Sequence, residues 1–276
     1  MSMGLKTNNP PIASAKAIIE TPFRIAIVGC GPRGMYCLER MTHAIEQKKI
    51  SGPIQIDIYE PSAFPGAGVV YDPRQPGHLR MNFANQQIDT RHPDHRHENH
   101  RNRNLIPMSF LEWSQANCPE WSDRDGYAPR GVVGEYLHDC FQRIMKRLQN
   151  VATVNLFPSK VIDIENTQDR WILSTADNDA SYDEVVLTVG HEGWRSAESY
   201  RIGDVIADIP CIFPTETRLS TAAVPPDSVV AIRGFGLTWI DAALSLTEGR
   251  GGKFTEVDGR WSYQCSGNEP KQILPF

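Results

Sequence analysis

The chain has 276 residues, enough for two modest domains, and its 40% apolar content is ordinary for a globular protein. Its net charge of −5 argues against a nucleic-acid-binding surface. No apolar run approaches the roughly 18 residues that cross a bilayer, and the N-terminal stretch lacks a signal-peptide core. We therefore expect neither nucleic acid nor membrane as a partner.

The six cysteines are scattered, with no C-x-x-C pair. This usage predicts reduced thiols in a cytoplasmic protein. It also argues against disulfide exchange, because Cys30 and Cys37 are seven residues apart and Cys30 lies inside a glycine turn.

Residues 1–21 are polar and predict a flexible leader. An apolar strand then runs into glycines at G-x-G-x-x-G spacing, Gly29, Gly31 and Gly34, with Pro32 and Arg33 between the last two. An amphipathic helix follows, with its predicted buried face at Met35, Leu38, Met41 and Ile45. In a dinucleotide site the first glycine permits the turn, the second lets the backbone approach a diphosphate, and the third lets helix and strand pack closely.

A second strand, residues 54–60, ends in Glu60. An acid at this position of a dinucleotide-binding unit accepts hydrogen bonds from a ribose hydroxyl. The alternative is an ordinary surface acid at a strand end. Strand, glycines, helix, strand and acid in this order favour a nucleotide site over a glycine turn without a ligand.

Residues 89–104 are almost wholly polar and crowded with His and Arg, which predicts a surface excursion or lid. Four imidazoles within nine residues could ligate a transition metal. They alternate with arginines across segment 91–103, however, and positive charge opposes a bound cation. A solvated basic segment is the favoured interpretation, and no metal site is predicted. The imidazoles are those of His92, His95, His97 and His100.

The middle of the chain alternates helical and β-type patterns. Ser109 and Glu112 form a predicted capping box, and residues 129–149 show the clearest amphipathic helix. Segments 151–157, 160–164 and 170–174 read as β-type, and 183–190 as an apolar strand that ends in Gly190.

The opening motif recurs after a proline-rich connection over residues 211–226. Residues 229–241 again read as strand, glycine turn and helix, and Leu237, Ile240, Leu244 and Leu246 are predicted to face inward. Residues 254–276 carry turn signals and are expected to add no complete further unit.

Two such units about two hundred residues apart, with Thr188-Val-Gly190 between them, resemble the flavoproteins with two dinucleotide-binding domains. More narrowly, several segments resemble the bacterial FAD/NAD(P)-binding family that includes flavin-dependent urate hydroxylases and aspartate N-monooxygenases. These segments are Gly29–Gly34, Gly66–Asp72, Leu79–Asn82, Tyr127–Leu137, Thr188–His191 and Gly234–Asp241.

The resemblance implies an α/β fold: a Rossmann-like FAD-binding domain of three layers over residues 22–212, and the start of a second Rossmann-like, NAD(P)-binding domain over 213–276. It implies FAD at the first turn with Glu60, and NADPH or NADH at the second. Asn82 would lie near the flavin, Val161 near the adenine, and Arg130 in a loop and helix against the cofactor. The implied cofactor-binding residues are Gly29, Gly31, Pro32, Arg33, Gly34, Glu60, Asn82, Arg130, Val161, Thr188, Gly190, Gly234, Gly236 and Thr238.

The implied activity is an FAD-dependent, NAD(P)H-using monooxygenase that hydroxylates a small polar metabolite through a peroxyflavin; catalytic residues are not identified, and a homo-oligomer is left open. Two departures keep alternatives open. Trp239 replaces the third small residue of the second turn. The family's chains return to the flavin domain after the nicotinamide domain, whereas this sequence reaches Phe276 without that return. The alternatives are a flavin dehydrogenase or oxidase, and a non-catalytic dinucleotide-binding module or fragment.

Overall fold

The computed structural model describes residues 21–50, 52–91, 93, 107–190, 197–202 and 205–276, with the main chain alone for 197–202 and 205–210. Most of the predicted leader, His191 and all four histidines of segment 91–103 lie outside the described residues. The helices are α1 (Pro32–Glu46), α2 (Phe110–Asn117), α3 (Arg130–Leu148), α4 (Thr215–Arg218) and α5 (Leu237–Leu246). The strands up to the proline-rich connection are β1 (Phe23–Val28), β2 (Ile54–Tyr59), β3 (Thr153–Phe157), β4 (Asp163–Asn166), β5 (Trp171–Ser174), β6 (Asp179–Tyr182), β7 (Glu184–Leu187), β8 (Ala197–Ile202) and β9 (Val205–Pro210). The strands beyond it are β10 (Val229–Ile232), β11 (Lys253–Val257), β12 (Arg260–Gln264) and β13 (Gln272–Pro275).

A parallel sheet of order β3-β2-β1-β7 forms the centre of the predicted N-terminal unit, residues 22–212. Side chains alternate between its faces because successive strand residues point to opposite sides. Ile27, Ile56 and Ile58 join the core beneath the helices, whereas Ala26 and Val28 join the core on the other face. The glycine turn therefore follows a strand that is buried on both sides.

Helices α1, α2 and α3 cover one face of this sheet and bury the larger core. The capping box of α2 is confirmed: the Glu112 N–H donates to Ser109 Oγ at 3.3 Å, and the Ser109 N–H donates to Glu112 Oε2 at 2.9 Å. The predicted buried face of α1 is confirmed for Met35 and Leu38, whereas Met41 and Ile45 are partly buried against the same core.

An antiparallel meander, β4-β5-β6, covers the other face and completes a three-layer α/β/β arrangement. Tyr182 of β6 is fully buried; its hydroxyl donates to Asp57 Oδ2 at 3.0 Å and lies 2.6 Å from the Tyr59 hydroxyl. The predicted β-type segment at 160–164 is displaced: β4 begins at Asp163, so Val161 lies in the preceding loop rather than on a strand.

The predicted C-terminal unit, residues 213–276, contains two small sheets. β10 precedes α5 in the sequence and β13 follows it, and the two strands pair in parallel. The antiparallel hairpin β11–β12 comes between α5 and β13 in the sequence. β13 forms a β-α-β unit with β10 and α5, and residues 254–276 add no further strand–turn–helix unit of their own, in line with the prediction. The sequence does not predict β13, because this strand has only four residues, includes Pro275 and follows turn residues that include Pro270.

The inward face of α5 also differs from the prediction. Leu237 and Ile240 are 53% and 49% exposed, whereas Asp241 and Ser245 are buried together with Ala242 and Leu246. The prediction is therefore wrong for Leu237 and Ile240, whereas Leu246 is buried as predicted and Leu244 is partly buried. The buried polar side chains of α5 meet polar partners from the N-terminal unit.

Candidate functional site

The first glycine turn joins the end of β1 to the start of α1. Gly29 has φ +81°, a conformation that side chains other than glycine rarely adopt, and an added β-carbon would lie 2.8 Å from the Thr188 carbonyl oxygen. A β-carbon on Gly34 would lie 2.7 Å from the Gly29 carbonyl oxygen. Close packing of the backbone therefore requires glycine at the first and third positions, and the prediction that the third lets helix and strand approach is supported.

The N-terminus of α1 opens from this turn. Gly31 is the N-cap and Pro32 the first helical residue; among the described residues no side chain caps this end and its first turn holds no acid. The first N–H groups of a helix lack intrahelical partners and favour anions. Arg33 is exposed at the second helical position and adds positive charge. These features fit a diphosphate.

Glu60 is buried, with 7% of its surface exposed, and holds the turn through main-chain hydrogen bonds. The Cys30 N–H donates to Oε2 at 2.6 Å and the Ser62 N–H donates to Oε1 at 2.8 Å. Each carboxylate oxygen accepts more than one hydrogen bond, so acceptor capacity for a ribose hydroxyl remains. The ribose role stays a prediction, and the structure adds a role in shaping the turn.

The Cys30 thiol, within the turn, is fully buried and remains neutral. Burial, with a further contribution from the nearby Glu60 carboxylate, raises the pKa of Cys30 far above its ordinary value. A thiol in this state is a poor nucleophile, which agrees with the expectation that this position does no disulfide chemistry.

The segment Gly66-Ala67-Gly68 packs directly on the turn and was not among the predicted site residues. The Gly66 N–H donates to the Cys30 carbonyl at 2.6 Å, and a β-carbon on Gly68 would lie 3.1 Å from Gly31 Cα. Both glycines have positive φ. The signal in the sequence was a second G-x-G that begins six residues after Glu60, and in the structure this segment supports the first glycine turn.

Thr188 closes the turn from the end of β7. Its N–H donates to the Val28 carbonyl at 2.9 Å and its hydroxyl donates to the Gly29 carbonyl at 2.5 Å. Gly190 follows in an exposed turn with φ +67°. The structure thus brings Thr188 beside the first and third glycines, and the cofactor roles of Thr188 and Gly190 stay predictions.

Two other predicted residues lie in less constrained places. Asn82 is exposed, directly after Met81, whose N–H donates to the Ala128 carbonyl at 2.9 Å. Val161 is half-buried against the core cluster that contains Tyr59, the residue before Glu60. Their flavin and adenine roles stay predictions.

Arg130 makes an ion pair that the sequence did not reveal. Its Nη1 and Nη2 donate to Asp241 Oδ2 and Oδ1 at 2.7 and 2.8 Å, in bidentate geometry. Asp241 lies on α5, so this contact joins the start of α3 in the N-terminal unit to the C-terminal unit. The cofactor role of Arg130 stays a prediction, with its guanidinium already engaged in this pair.

The second glycine turn is more open than the first. Gly234 has φ +91° and donates its N–H to the Phe276 carbonyl at 2.9 Å, and Gly236 is the N-cap of α5. A β-carbon at either glycine would meet nothing within 4 Å, and Thr238 is exposed. Trp239 stacks on Phe235 at 5.4 Å, and α5 forms with tryptophan at the third position. The nicotinamide role of this turn stays a prediction.

A cleft of about 660 Å³ lies where the two units meet. His78 and Ser245 line it, with 3.1 Å between Nε2 and Oγ. Arg250 also lines it, but its Nη atoms donate to the main-chain carbonyls of residues 219, 220, 224 and 268. Burial lowers the pKa of His78 below its ordinary 6.5, against the opposing influence of Glu248. The cleft thus presents a neutral imidazole.

Within the described part of the chain, no helix is long and apolar enough to cross a bilayer. The same residues contain no cluster of three or more His, Cys, Asp or Glu side chains suited to a metal ion.

The N-terminal unit matches a known family. A model of the family described as FAD-NAD(P)-binding matches residues 26–192. An L-aspartate N-monooxygenase (nitrosuccinate-forming) of Streptomyces davaonensis is 28% identical over an alignment that covers 90% of this chain and 42% of that protein. The nitrosuccinic acid synthase npaA of Aspergillus oryzae is 27% identical, over 91% of this chain and 39% of its own length. The chain thus spans about two fifths of the length of these curated relatives.

The lysine monooxygenase NbtG from Nocardia farcinica has a similar structure, with a TM-score of 0.52 and 16% identity. The match covers 91% of this chain and 78% of the NbtG chain. At this identity the likeness concerns the fold, and it agrees with the α/β architecture described above.

Proposed function

This chain belongs to the FAD-NAD(P)-binding family, and we propose that it is the dinucleotide-binding part of an FAD-dependent, NADPH- or NADH-using monooxygenase that hydroxylates a small polar metabolite. The observation that carries the proposal is the first glycine turn. Close backbone packing at Gly29 and Gly34, the uncapped start of α1 and the buried Glu60 together form a cradle for a diphosphate.

FAD supplies hydride acceptance and oxygen activation when it is bound, and the protein supplies position, electrostatics and exclusion of water. The free N–H groups at the start of α1 would bind the diphosphate, and Glu60 would hold the turn that presents them. Thr188 and the Gly66–Gly68 segment would keep this turn rigid from its two sides. The open second turn would hold the nicotinamide nucleotide.

The relatives suggest the first substrate to test. Two proteins are 27–28% identical over about nine tenths of this chain. One is named an L-aspartate N-monooxygenase that forms nitrosuccinate, and the other is named a nitrosuccinic acid synthase. We extend this to a small amino acid as the substrate class. The six free cysteines support a reducing, cytoplasmic location as part of the same proposal.

The test uses the longest natural gene product, purified and loaded with FAD. We expect NADPH or NADH to bleach the flavin, and ¹⁸O from ¹⁸O₂ to appear in a product only when an amino acid such as L-aspartate is present. Bleaching with peroxide as the sole product would favour a dehydrogenase or oxidase. Flavin retention without bleaching by either nucleotide would favour the non-catalytic module and contradict the proposal.

A further inference from the structure

We propose that Arg130 and Asp241 are positioning residues, whose ion pair holds the second glycine turn in a fixed place relative to the first. The inference rests on the proposed function, since it concerns how a nicotinamide nucleotide at one turn would meet a flavin at the other. It assigns a role to two side chains that lie outside both glycine turns.

Arg130 has a rigid base in the N-terminal unit. Its own N–H donates to the Leu79 carbonyl at 2.8 Å. The next turn of α3 is pressed on residues 71–73, because β-carbons on Gly131 and Gly134 would lie 2.8 Å from the Pro73 and 1.7 Å from the Tyr71 carbonyl oxygens. The guanidinium therefore extends from a backbone that is held on two sides.

Asp241 transmits that fixed position to the second turn. It lies on α5 five residues after the N-cap Gly236, a distance of about 7.5 Å along the helix axis. Its side chain is 4% exposed and that of Arg130 is 13% exposed, so solvent and salt screen the pair weakly. Two parallel N–H···O bonds at 2.7 and 2.8 Å constrain rotation as well as distance.

Two further polar contacts lie near the ion pair, between residues on or just after α5 and residues of the N-terminal unit. Ser245 lies four residues after Asp241, on the same face of α5, and Glu248 lies in the short turn that follows the helix. Ser245 Oγ lies 3.1 Å from His78 Nε2, and Glu248 Oε1 lies 3.5 Å from Arg80 Nη2. Polar residues on and just after α5 thus have matched polar partners in the N-terminal unit.

The burial pattern of α5 indicates that its contact with the N-terminal unit fixes the relative position of the two units and does not only hold them together. Its leucine and isoleucine at 237 and 240 are about half exposed, while its aspartate and serine are buried. Buried ion pairs contribute little net stability compared with apolar pairs of similar size, and in some proteins their role is to specify one geometry. An apolar contact would let the two units slide, whereas a bidentate pair with hydrogen-bonded neighbours does not.

The decisive variant replaces the pair by an apolar one, R130M/D241L. Stability is expected to stay near that of the wild type, because well-packed apolar residues commonly replace buried ion pairs without loss. Reduction rates are compared at equal FAD occupancy, because Arg130 is itself a predicted cofactor contact and its replacement could change flavin binding. Reduction of the flavin by NADPH is expected to slow by about tenfold or more, because small misplacements of reacting groups cost this much. Reduction by dithionite, which needs no second turn, should be unchanged.

A second readout does not depend on activity. Ketone-bearing unnatural residues placed at the exposed positions Glu135 and Lys253 accept nitroxide labels and leave the native cysteines unlabelled. Pulsed EPR on the longest natural gene product should give one narrow distance distribution in the wild type and a broader or shifted one in R130M/D241L. E120Q, far in sequence from the pair and exposed, serves as the control variant.

The outcomes separate the two proposals. An unchanged distance distribution in R130M/D241L overturns the positioning role, whatever the enzyme does. A broadened distribution with wild-type NADPH reduction overturns its link to the reaction. If the wild type retains FAD but neither NADPH nor NADH reduces it, the proposed function fails, while the EPR result still decides whether the pair positions the units.

Discussion

At the scale of single residues, the glycines of this chain differ in what a side chain would meet. A β-carbon at Gly134 would lie 1.7 Å from the Tyr71 carbonyl oxygen, whereas one at Gly77 would meet nothing within 4 Å. Alanine is favoured over glycine inside a helix by roughly 0.5–1 kcal/mol. Despite this, we expect Gly134→Ala to lower the free energy of unfolding by about 2–3 kcal/mol, because overpacking must shift the backbone. Urea unfolding tests this, and Gly77→Ala should stay within about 0.5 kcal/mol of the wild type.

Glu60 offers a second residue-level test, on binding rather than stability. In Glu60→Gln an amide NH₂ would face one of the two N–H donors, Cys30 or Ser62, that the carboxylate now accepts. Loss of such a hydrogen bond to a charged acceptor costs about 1.5–3 kcal/mol, so FAD should bind about tenfold or more weakly. Isothermal titration measures the change. Glu135→Gln, an exposed change on α3, should bind FAD as the wild type does.

His78 predicts a pH dependence with a definite sign. Burial, the main cause, lowers its pKa from 6.5, with Arg80 assisting and Glu248, Glu216 and Asp241 opposing. The unfolded chain therefore binds the proton more readily, and folding stability falls as pH drops below 6.5 toward the lowered pKa. The stability difference between the wild type and His78→Asn should be constant above about pH 7.5 and shift against the wild type below 6.5. A difference that does not vary with pH would contradict this account.

At the scale of elements, patterns with local causes were predictable. The glycine spacing and the periodicity after it predicted α1, and Ser109 with Glu112 predicted the start of α2. The burial of Asp241 on α5 was not predictable, because it depends on Arg130, 111 residues earlier in the chain. The apolar periodicity of one helix cannot reveal a polar partner that lies so far away in the sequence.

The meander β4-β5-β6 is expected to depend on Tyr182 for part of its attachment to the central sheet. In Tyr182→Phe, Asp57 keeps hydrogen bonds from Arg24, Gln55 and Asn155, but Tyr59 loses a neighbour 2.6 Å away. We expect a loss of about 1–2 kcal/mol in the free energy of unfolding, the cost of one buried hydrogen bond. Tyr127→Phe, at an exposed position, should change stability little; equal losses in both variants would show that the hydroxyl network does not hold the meander.

At the scale of the whole molecule, the sequence predicted two glycine turns, and its resemblance to the flavoproteins implied the three-layer arrangement of the N-terminal unit. It did not predict how the units meet, since that contact combines residues 78, 80 and 130 with residues on and just after α5. The same holds for Gly66 and Gly68, whose contact with the first turn arises only once the loop after β2 folds back. Local motifs thus identified the candidate site, and long-range contacts determine its shape.

FAD binding at the first turn is the central claim, and the visible absorption spectrum after incubation with FAD and desalting tests it most directly. The matched variant is Gly31→Asp. Its β-carbon would approach Gly68 Cα no closer than 3.4 Å, and aspartate is a favourable N-cap, so the fold should persist. Its carboxylate, however, would occupy the place of the diphosphate and repel it. We predict a retained flavin band in the wild type and its loss in Gly31→Asp at unchanged thermal stability of the flavin-free proteins. A wild type without the band, or a variant that retains it equally, would contradict the account.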